Sequence, residues 1–328
     1  GEAIIDQLEQ ETWHKGEETW VVTSKFPWRD SHGRIKGTFG VSNDVTKLVK
    51  AQLEATNLAH QLQLKNEAYE EELHLAREIQ QALAGEGFPA ATAAHHSHIS
   101  FGARYIPISG LAGDFFEVVK ISDDCYGVLI CDVMGHGVRA ALIVAMLRGL
   151  LEKQRAQATE PGQFLHGLND GLATILARAG ASMFATAFYG VIDLSNSTFK
   201  YSCAGHPGPI ISGGGGVRQI AMDRNEKGPG LGLIKNAVYP TNELMLAEID
   251  RLILFTDGVL EAENQAGEPF FENRLKEIID SNSRESLETL LDGVLSSVLA
   301  ISEGQRFDDD VCLLGIDVSR SVSQATAT

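Results

Sequence analysis

The chain has 328 residues, 44% of them hydrophobic, and a formal net charge of −17. It is long enough to bury a sizeable core and reads as two domains, or as one large domain with an appendage. No run approaches the roughly 18 consecutive apolar residues of a membrane helix, and the acidic excess offers nothing to neutralise nucleic-acid phosphates or an anionic membrane. A soluble protein with cation-dependent sites is expected. Cys125, Cys131, Cys203 and Cys312 stand far apart in apolar segments without CxxC spacing, which reads as buried, reduced thiols in the cytoplasm. The first residue is Gly1 and no leader-like segment follows it, so a piece of a longer protein is expected.

Residues 19–45, TWVVTSKFPWRDSHGRIKGTFGVSNDV, predict two strands of alternating character joined by a turn at Asp30 to Gly33. Asn43 or Asp44 then caps a helix over Val45 to Ala84, a stretch without Gly or Pro. Leu48, Ala55, Leu62, Tyr69, Ala76 and Leu83 repeat there at sevens. The companion seam carries Gln52, Asn66 and Gln80. The pattern predicts a connecting helix of about 60 Å at the usual rise per residue. It pairs with a second copy as a coiled coil, or else packs as a lone helix on its own domain. Gly85, Gly87 and Pro89 end it, and AATAAHHSH follows as a small-residue linker. His95, His96 and His98 lack an acidic partner nearby and read as a solvated loop.

A new domain begins near Ile99. Short runs of strand length follow at 126–132, 184–194, 198–204, 251–257 and 310–317, rich in β-branched and aromatic residues. Helical periodicity covers 137–154, with Ala140, Val144, Leu147 and Leu151 on one face. It returns at 161–178, with Phe164, Leu168, Leu172 and Ile175, and over roughly 271–300. SNS joins two of the strands as an antiparallel hairpin, and helices come in groups without alternating with strands. This predicts an α+β fold with packed antiparallel sheets.

Four acidic positions share one situation. Asp132 ends YGVLICD, Asp257 ends RLILFTD, Asp309 and Asp310 begin DVCLLGID, and Asp114 stands in GDFFE after Gly113. The sheet holds such an acid's backbone while its carboxylate projects at the rim. Several carboxylates at one rim repel unless a cation sits between them. With no His or Cys at ligand spacing, the hard, oxygen-seeking Mg²⁺ or Mn²⁺ is favoured over Zn²⁺. Each acid taken singly is equally a turn residue or part of a solvated charge run; the set carries the argument.

Taken in order, GDFFE, CDVMGHGVRAAL (131–142), CAGHPGPII (203–211), LGL (231–233), LILFTDGVLEAEN (252–264) and DDDVCLLGI (308–316) resemble the successive motifs of bacterial PPM-type metal-dependent protein serine/threonine phosphatases of the stage II sporulation protein E type. They span roughly residues 99–318, about two thirds of the chain. The resemblance implies an αββα sandwich of two antiparallel sheets flanked by helices, with two Mn²⁺ or Mg²⁺ ions at one end. Carried over, Asp132 is the bridging acid and the central catalytic residue, and the Val133 carbonyl is a further ligand. Asp257 and Asp309 hold the same metal pair, and Asp114 is the first-motif acid. Asp310 falls where relatives carry Asn or Asp. Two such ions activate a water and neutralise phosphate oxygens, so no protein nucleophile is needed.

His136 lies four residues after Asp132, whereas the broader group places a histidine two residues after the bridging acid. An exposed turn residue is therefore expected at His136. Cys312 stands where relatives commonly carry Thr. By resemblance the substrate is a phosphorylated STAS-type anti-sigma-factor antagonist. FPWRDSHGRIKGTFGVSNDVTKL (26–48) is similar to the closing strands of a PAS sensory domain and its exit into a signalling helix. Too little of that domain is present for a cofactor site, and Trp13, Trp20 and Trp28 read as core or edge residues.

The expected organisation is a partial PAS-like segment (1–44), a helical linker (45–98) that forms a homodimer, the phosphatase domain (99–318) and a disordered tail (319–328). A non-catalytic phosphatase-fold binding module, and a two-metal hydrolase of other phosphate esters, are the competing readings.

Overall fold

The computed structural model describes residues 1–12, 18–83, 87–89, 93–94, 97–107, 110–262, 272–301 and 309–320, and the chain divides into two units, Gly1–Glu72 and Leu73–Thr328. In the first, β1 (Ile4–Thr12), β2 (Glu18–Arg29) and β3 (Ile35–Asp44) form an antiparallel sheet in that order. The β2–β3 turn is built as its residues dictate. Gly33 takes φ 78°, and the Asp30 carboxylate accepts hydrogen bonds from the amides of His32 and Arg34. β1 is an addition to the expected hairpin. Its run IIDQLEQET has little alternation and is mostly exposed, so ladder pairing with β2, which burial patterns do not reveal, defines it. Trp20 is half-buried in β2, Trp28 is exposed, and Trp13 lies outside the described residues.

Helix α1 (Thr46–Leu83) starts where Asp44 Oδ1 accepts the Thr46 amide at 2.8 Å. The boundary between the two units falls within this helix. Leu48, Leu58, Leu62 and Tyr69 are each more than half exposed.

The second unit runs in the order β4 (Ala93–Ala94), β5 (Ser97–Ile106), β6 (Phe115–Lys120), β7 (Cys125–Val133), α2 (Val138–Gln154), α3 (Pro161–Ala179), β8 (Ala185–Asp193), β9 (Thr198–Ala204), β10 (Ile210–Gly213), β11 (Gly216–Gln219), β12 (Asn242–Met245), β13 (Arg251–Phe255), α4 (Glu272–Ser281), α5 (Leu287–Ile301) and β14 (Val311–Arg320). Two sheets result, one ordered β11-β10-β13-β14-β5-β4 and the other β12-β9-β8-β7-β6.

The period of two along each strand explains the layering. In β7, Tyr126, Val128 and Ile130 pack between the sheets, while Leu129, Cys131 and Val133 pack outward on α2 and α3. In β13 and β14, Leu252, Leu254, Cys312, Leu314 and Ile316 face the other sheet, while Ile253, Phe255, Val311 and Leu313 pack against α4 and α5. Both faces of both sheets are covered, so the central strands read as continuous apolar runs, and the fold is an αββα sandwich.

Four expectations change. The helix over 271–300 is two helices, because the turn residues between Ser281 and Leu287 break it and the Ser286 hydroxyl oxygen accepts the Thr289 amide, capping α5. His98 lies in β5 and not in a loop, while His95 and His96 lie outside the described residues. The 251–257 strand stops at Phe255, and Asp257 opens a 3₁₀ turn, Asp257–Val259. β14 also continues through Ser319 and Arg320, two residues into the expected tail, whose remainder lies outside the described residues.

Candidate functional site

The alternation that builds the layer between the sheets continues past the last apolar residue at one end of the sandwich. Counting in twos, Asp132 follows Tyr126, Val128 and Ile130 in β7, and Thr256 follows Leu252 and Leu254 just after β13. Asp114 precedes Phe116 and Val118 in β6, and Asp310 precedes Cys312 and Leu314 in β14. Polar residues thus occupy the next inter-sheet position on four strands, where the layer opens.

Backbone contacts draw the four strand ends together. The Gly113 amide donates to Asp310 Oδ2 at 2.7 Å, and the Asp310 amide donates to Asp309 Oδ1 at 2.7 Å. The Val133 amide donates to the Gly113 carbonyl at 3.3 Å. Tyr105 donates its hydroxyl to the Asp114 carbonyl at 3.1 Å. Thr256 and Cys312 are doubly joined: the Thr256 amide donates to the Cys312 carbonyl and its Oγ1 accepts the Cys312 amide, both at 3.1 Å. Two glycines permit this closeness. A Cβ on Gly113 would stand 2.9 Å from the Gly135 carbonyl oxygen and 3.0 Å from that of Val133, and one on Gly258 only 2.1 Å from that of Asp310.

Electrostatics reflect the crowding. Burial, then the neighbouring Asp132, raises the Asp114 carboxyl far above its usual range. Asp132 is raised by burial, then by Asp257 and Asp309, with a hydrogen bond to Asp114 working the other way. Burial also raises Asp257 against the pull of the Gly258 amide, and raises Asp309, where His136 opposes. Asp114 Oδ2 is buried without a hydrogen-bond partner.

An orphaned carboxylate oxygen and a set of hard oxygen donors fit a divalent cation. Among the described residues, however, no three His, Cys, Asp or Glu side chains are gathered closely enough to form a ready metal-ligating group.

Asp114, Asp132, Val133, Asp257, Asp309 and Asp310 therefore lie at one end of the sandwich, and Asp308 lies outside the described residues. Asp310 is buried, with one oxygen committed to holding Gly113. His136 is exposed in the turn between Gly135 and Gly137, both at positive φ. Cys312 is fully buried. Sequence reasoning missed Thr256, although its place two residues beyond Leu254 was the available signal.

The fold and site together define the class: a four-layer αββα sandwich with an acid rim at one end of its inter-sheet layer. Residues 122–319 match the family model of Stage II sporulation protein E (SpoIIE), and with more than half of its length matched the chain belongs to that family. Residues 1–50 match the PAS fold.

The chain is 27% identical over 248 residues to the phosphoserine phosphatase RsbP of Bacillus subtilis (strain 168), covering 75% of this chain and 58% of that protein. It is 29% identical over 240 residues to the phosphoserine phosphatase RsbU of the same organism, covering 73% of this chain and 68% of that one. The match to RsbP thus spans less than two thirds of the relative's length. The SiaA-PP2C domain of Pseudomonas aeruginosa shares the fold, with a TM-score of 0.65 at 19% identity over 77% of this chain and 98% of that domain.

Proposed function

We propose that the chain is a metal-dependent protein serine/threonine phosphatase that hydrolyses phosphoserine or phosphothreonine on a bacterial regulatory protein. The convergence of Asp114, Asp132, Asp257 and Asp309 at one end of the inter-sheet layer, where burial and mutual repulsion oppose their ionisation, carries the reading. Asp132, with the Val133 carbonyl, Asp257 and Asp309, would hold two Mn²⁺ or Mg²⁺ ions, and Asp114 would add its orphaned oxygen. When bound, such ions supply an activated water and neutralise the phosphate.

The chain's own residues position the site. Asp310 fixes the Gly113 amide, Thr256 locks the end of β13 to β14, and no side chain is required as nucleophile. His136, exposed in its turn, is assigned no step.

The substrate class follows the family resemblance: a phosphorylated STAS-type anti-sigma-factor antagonist. We divide the chain into a partial PAS-like sensory segment (1–44), a linker (45–98), the catalytic domain (99–318) and a tail (319–328). The apolar residues exposed along α1 support pairing with a second copy. A route from linker to site is supported by contacts of the last turns of α1 with the chain just ahead of Asp114. Arg77 Nε donates to the Gly110 carbonyl at 2.6 Å, and the Gln80 side-chain amide exchanges two hydrogen bonds with Ala112, at 2.8 and 3.1 Å. Four free, buried cysteines suit a cytoplasmic location. Among the described residues no helix is long and apolar enough to cross a membrane.

Phosphate release from a phosphoserine peptide and from p-nitrophenyl phosphate should require Mn²⁺ or Mg²⁺ and fall at least about 100-fold in Asp132→Asn, a loss of about 2.7 kcal/mol of transition-state stabilisation. Equal rates in the two proteins would sink the reading.

A further inference from the structure

We propose that His206 is a positioning residue that sets the spacing between the Asp132 edge of one sheet and the Asp257 edge of the other, and with it the affinity of the site for a divalent cation. The inference rests on the metal reading above. Between β9 and β10 the chain leaves one sheet for the other, and His206 sits in that crossing, 3% exposed. Its Nδ1 lies 2.8 Å from Thr186 Oγ1 and its Nε2 lies 3.1 Å from the Phe255 carbonyl oxygen. A carbonyl only accepts, so Nε2 carries the proton and Nδ1 accepts the Thr186 hydroxyl. Burial holds the ring's pKa down at about 4, so it stays a neutral, one-donor, one-acceptor group near pH 7.

Both partners abut the acids. Thr186 stands directly opposite Asp132 in the β7–β8 ladder, and by the alternation of β8 it shares the inter-sheet face with Asp132. Phe255 is two residues before Asp257. Pairing of β10 with β13 begins at Ile210 opposite Ile253, so Phe255 lies beyond that ladder and the His206 ring takes its carbonyl in place of a strand. The imidazole is thus a crossbar joining the two sheets at their acidic end.

Its own placement is over-determined. Gly205 turns the chain at φ 70°, close enough to Gly230 that an added Cβ would stand 3.3 Å from the Gly230 nitrogen. The Cys203 thiol donates to the His206 carbonyl at 3.1 Å. The Gly228 amide donates to the Cys203 carbonyl at 2.8 Å. An apolar side chain of similar size would fill this space, but it would not fix a direction or a distance between two backbones. A group that fixes the separation of candidate ligands without being one acts on affinity through geometry, and loss of such outer contacts typically costs 10- to 100-fold in metal binding.

The test is calorimetric titration of the full chain with Mn²⁺ for wild type, His206→Ala, Thr186→Val and Thr186→Ser, with thermal melts of each. Mn²⁺ binding at least about tenfold weaker in His206→Ala and Thr186→Val, and within about twofold of wild type in Thr186→Ser, which keeps the hydroxyl, supports the crossbar. Folded His206→Ala and Thr186→Val proteins that bind Mn²⁺ like wild type, with only their melting lowered, overturn it. If His206→Ala does not fold, the two Thr186 variants decide alone. A wild-type chain that binds no Mn²⁺ overturns the metal reading and this inference with it.

Discussion

A single carboxylate oxygen, Asp114 Oδ2, shows what the site demands of the fold. It is buried without a partner, and its carboxyl is pushed upward by burial and by Asp132, so at neutral pH the fold carries either an unwanted charge or an unwanted proton. The folded acid binds its proton more tightly than the unfolded one. The contribution of Asp114 to the stability of the metal-free protein is therefore greatest below the ordinary carboxylate range and falls as pH rises from about 4 toward its raised folded pKa of about 10. Asp132, Asp257 and Asp309 shift in the same direction. Asp114→Asn should flatten that decline and raise the metal-free melting temperature at pH 7.5 by several degrees, about 2–4 °C per kcal/mol for a chain of this class, while removing part of the stabilisation that added Mn²⁺ gives. Scanning calorimetry of both proteins across pH checks this. A variant less stable than wild type at pH 7.5 without metal would contradict it. Site and stability are thus in tension at one residue, as is usual where acids are held ready for a cation.

At the scale of elements, the decisive unit is the strand end. β7 and β14 bring Asp132 and Asp309–Asp310 to the rim, but β13 stops at Phe255, and the 3₁₀ turn that follows carries Asp257. Gly258 lets that turn sit against the Asp310 backbone, where a methyl would stand 2.1 Å from the carbonyl oxygen. Gly258→Ala forces Asp257 and Asp309 apart. It should destabilise by about 1–3 kcal/mol and lower metal-dependent phosphate release at least about tenfold, read by urea denaturation beside the phosphatase assay. Full activity in that variant would show that the turn does not set the geometry of the acids. The sequence carried β7, β8, β9, β13 and β14, since runs such as YGVLICD and RLILFTD are apolar on both faces, but it left β5 and β6 unread. It did not carry the short strands β10, β11 and β12, four residues each, whose existence depends on a neighbouring ladder and not on their own alternation.

For the whole molecule, the question is how the N-terminal unit bears on the acids. Both units contain part of α1, and Leu48, Leu62 and Tyr69 of the seven-residue repeat are among its exposed apolar residues. Leu62→Asp places a charge in that repeat. Light scattering should give twice the chain mass for wild type and the single-chain mass for the variant, with phosphatase activity reduced alongside. A wild-type chain that is monomeric, or a variant unchanged in both mass and activity, would sink linker pairing as the means of control.

The order of motifs, the apolar runs of the central strands and the place of Asp132 at the end of β7 are local properties of the chain, and by itself the sequence determined them, together with an α+β fold of antiparallel sheets that the family resemblance sharpened to an αββα sandwich. Local periodicity also fixed α2, α3 and the long helix α1. It could not reveal β1, because that strand is mostly exposed and is held by pairing with β2, nor the break between α4 and α5. Which carboxylate oxygen is orphaned, that Asp310 is occupied with Gly113, and that His206 bridges Thr186 to Phe255 were decided only in the tertiary structure. Those facts depend on distances between residues as much as 197 positions apart in the chain, and no local pattern encodes a distance that two sheets set between them.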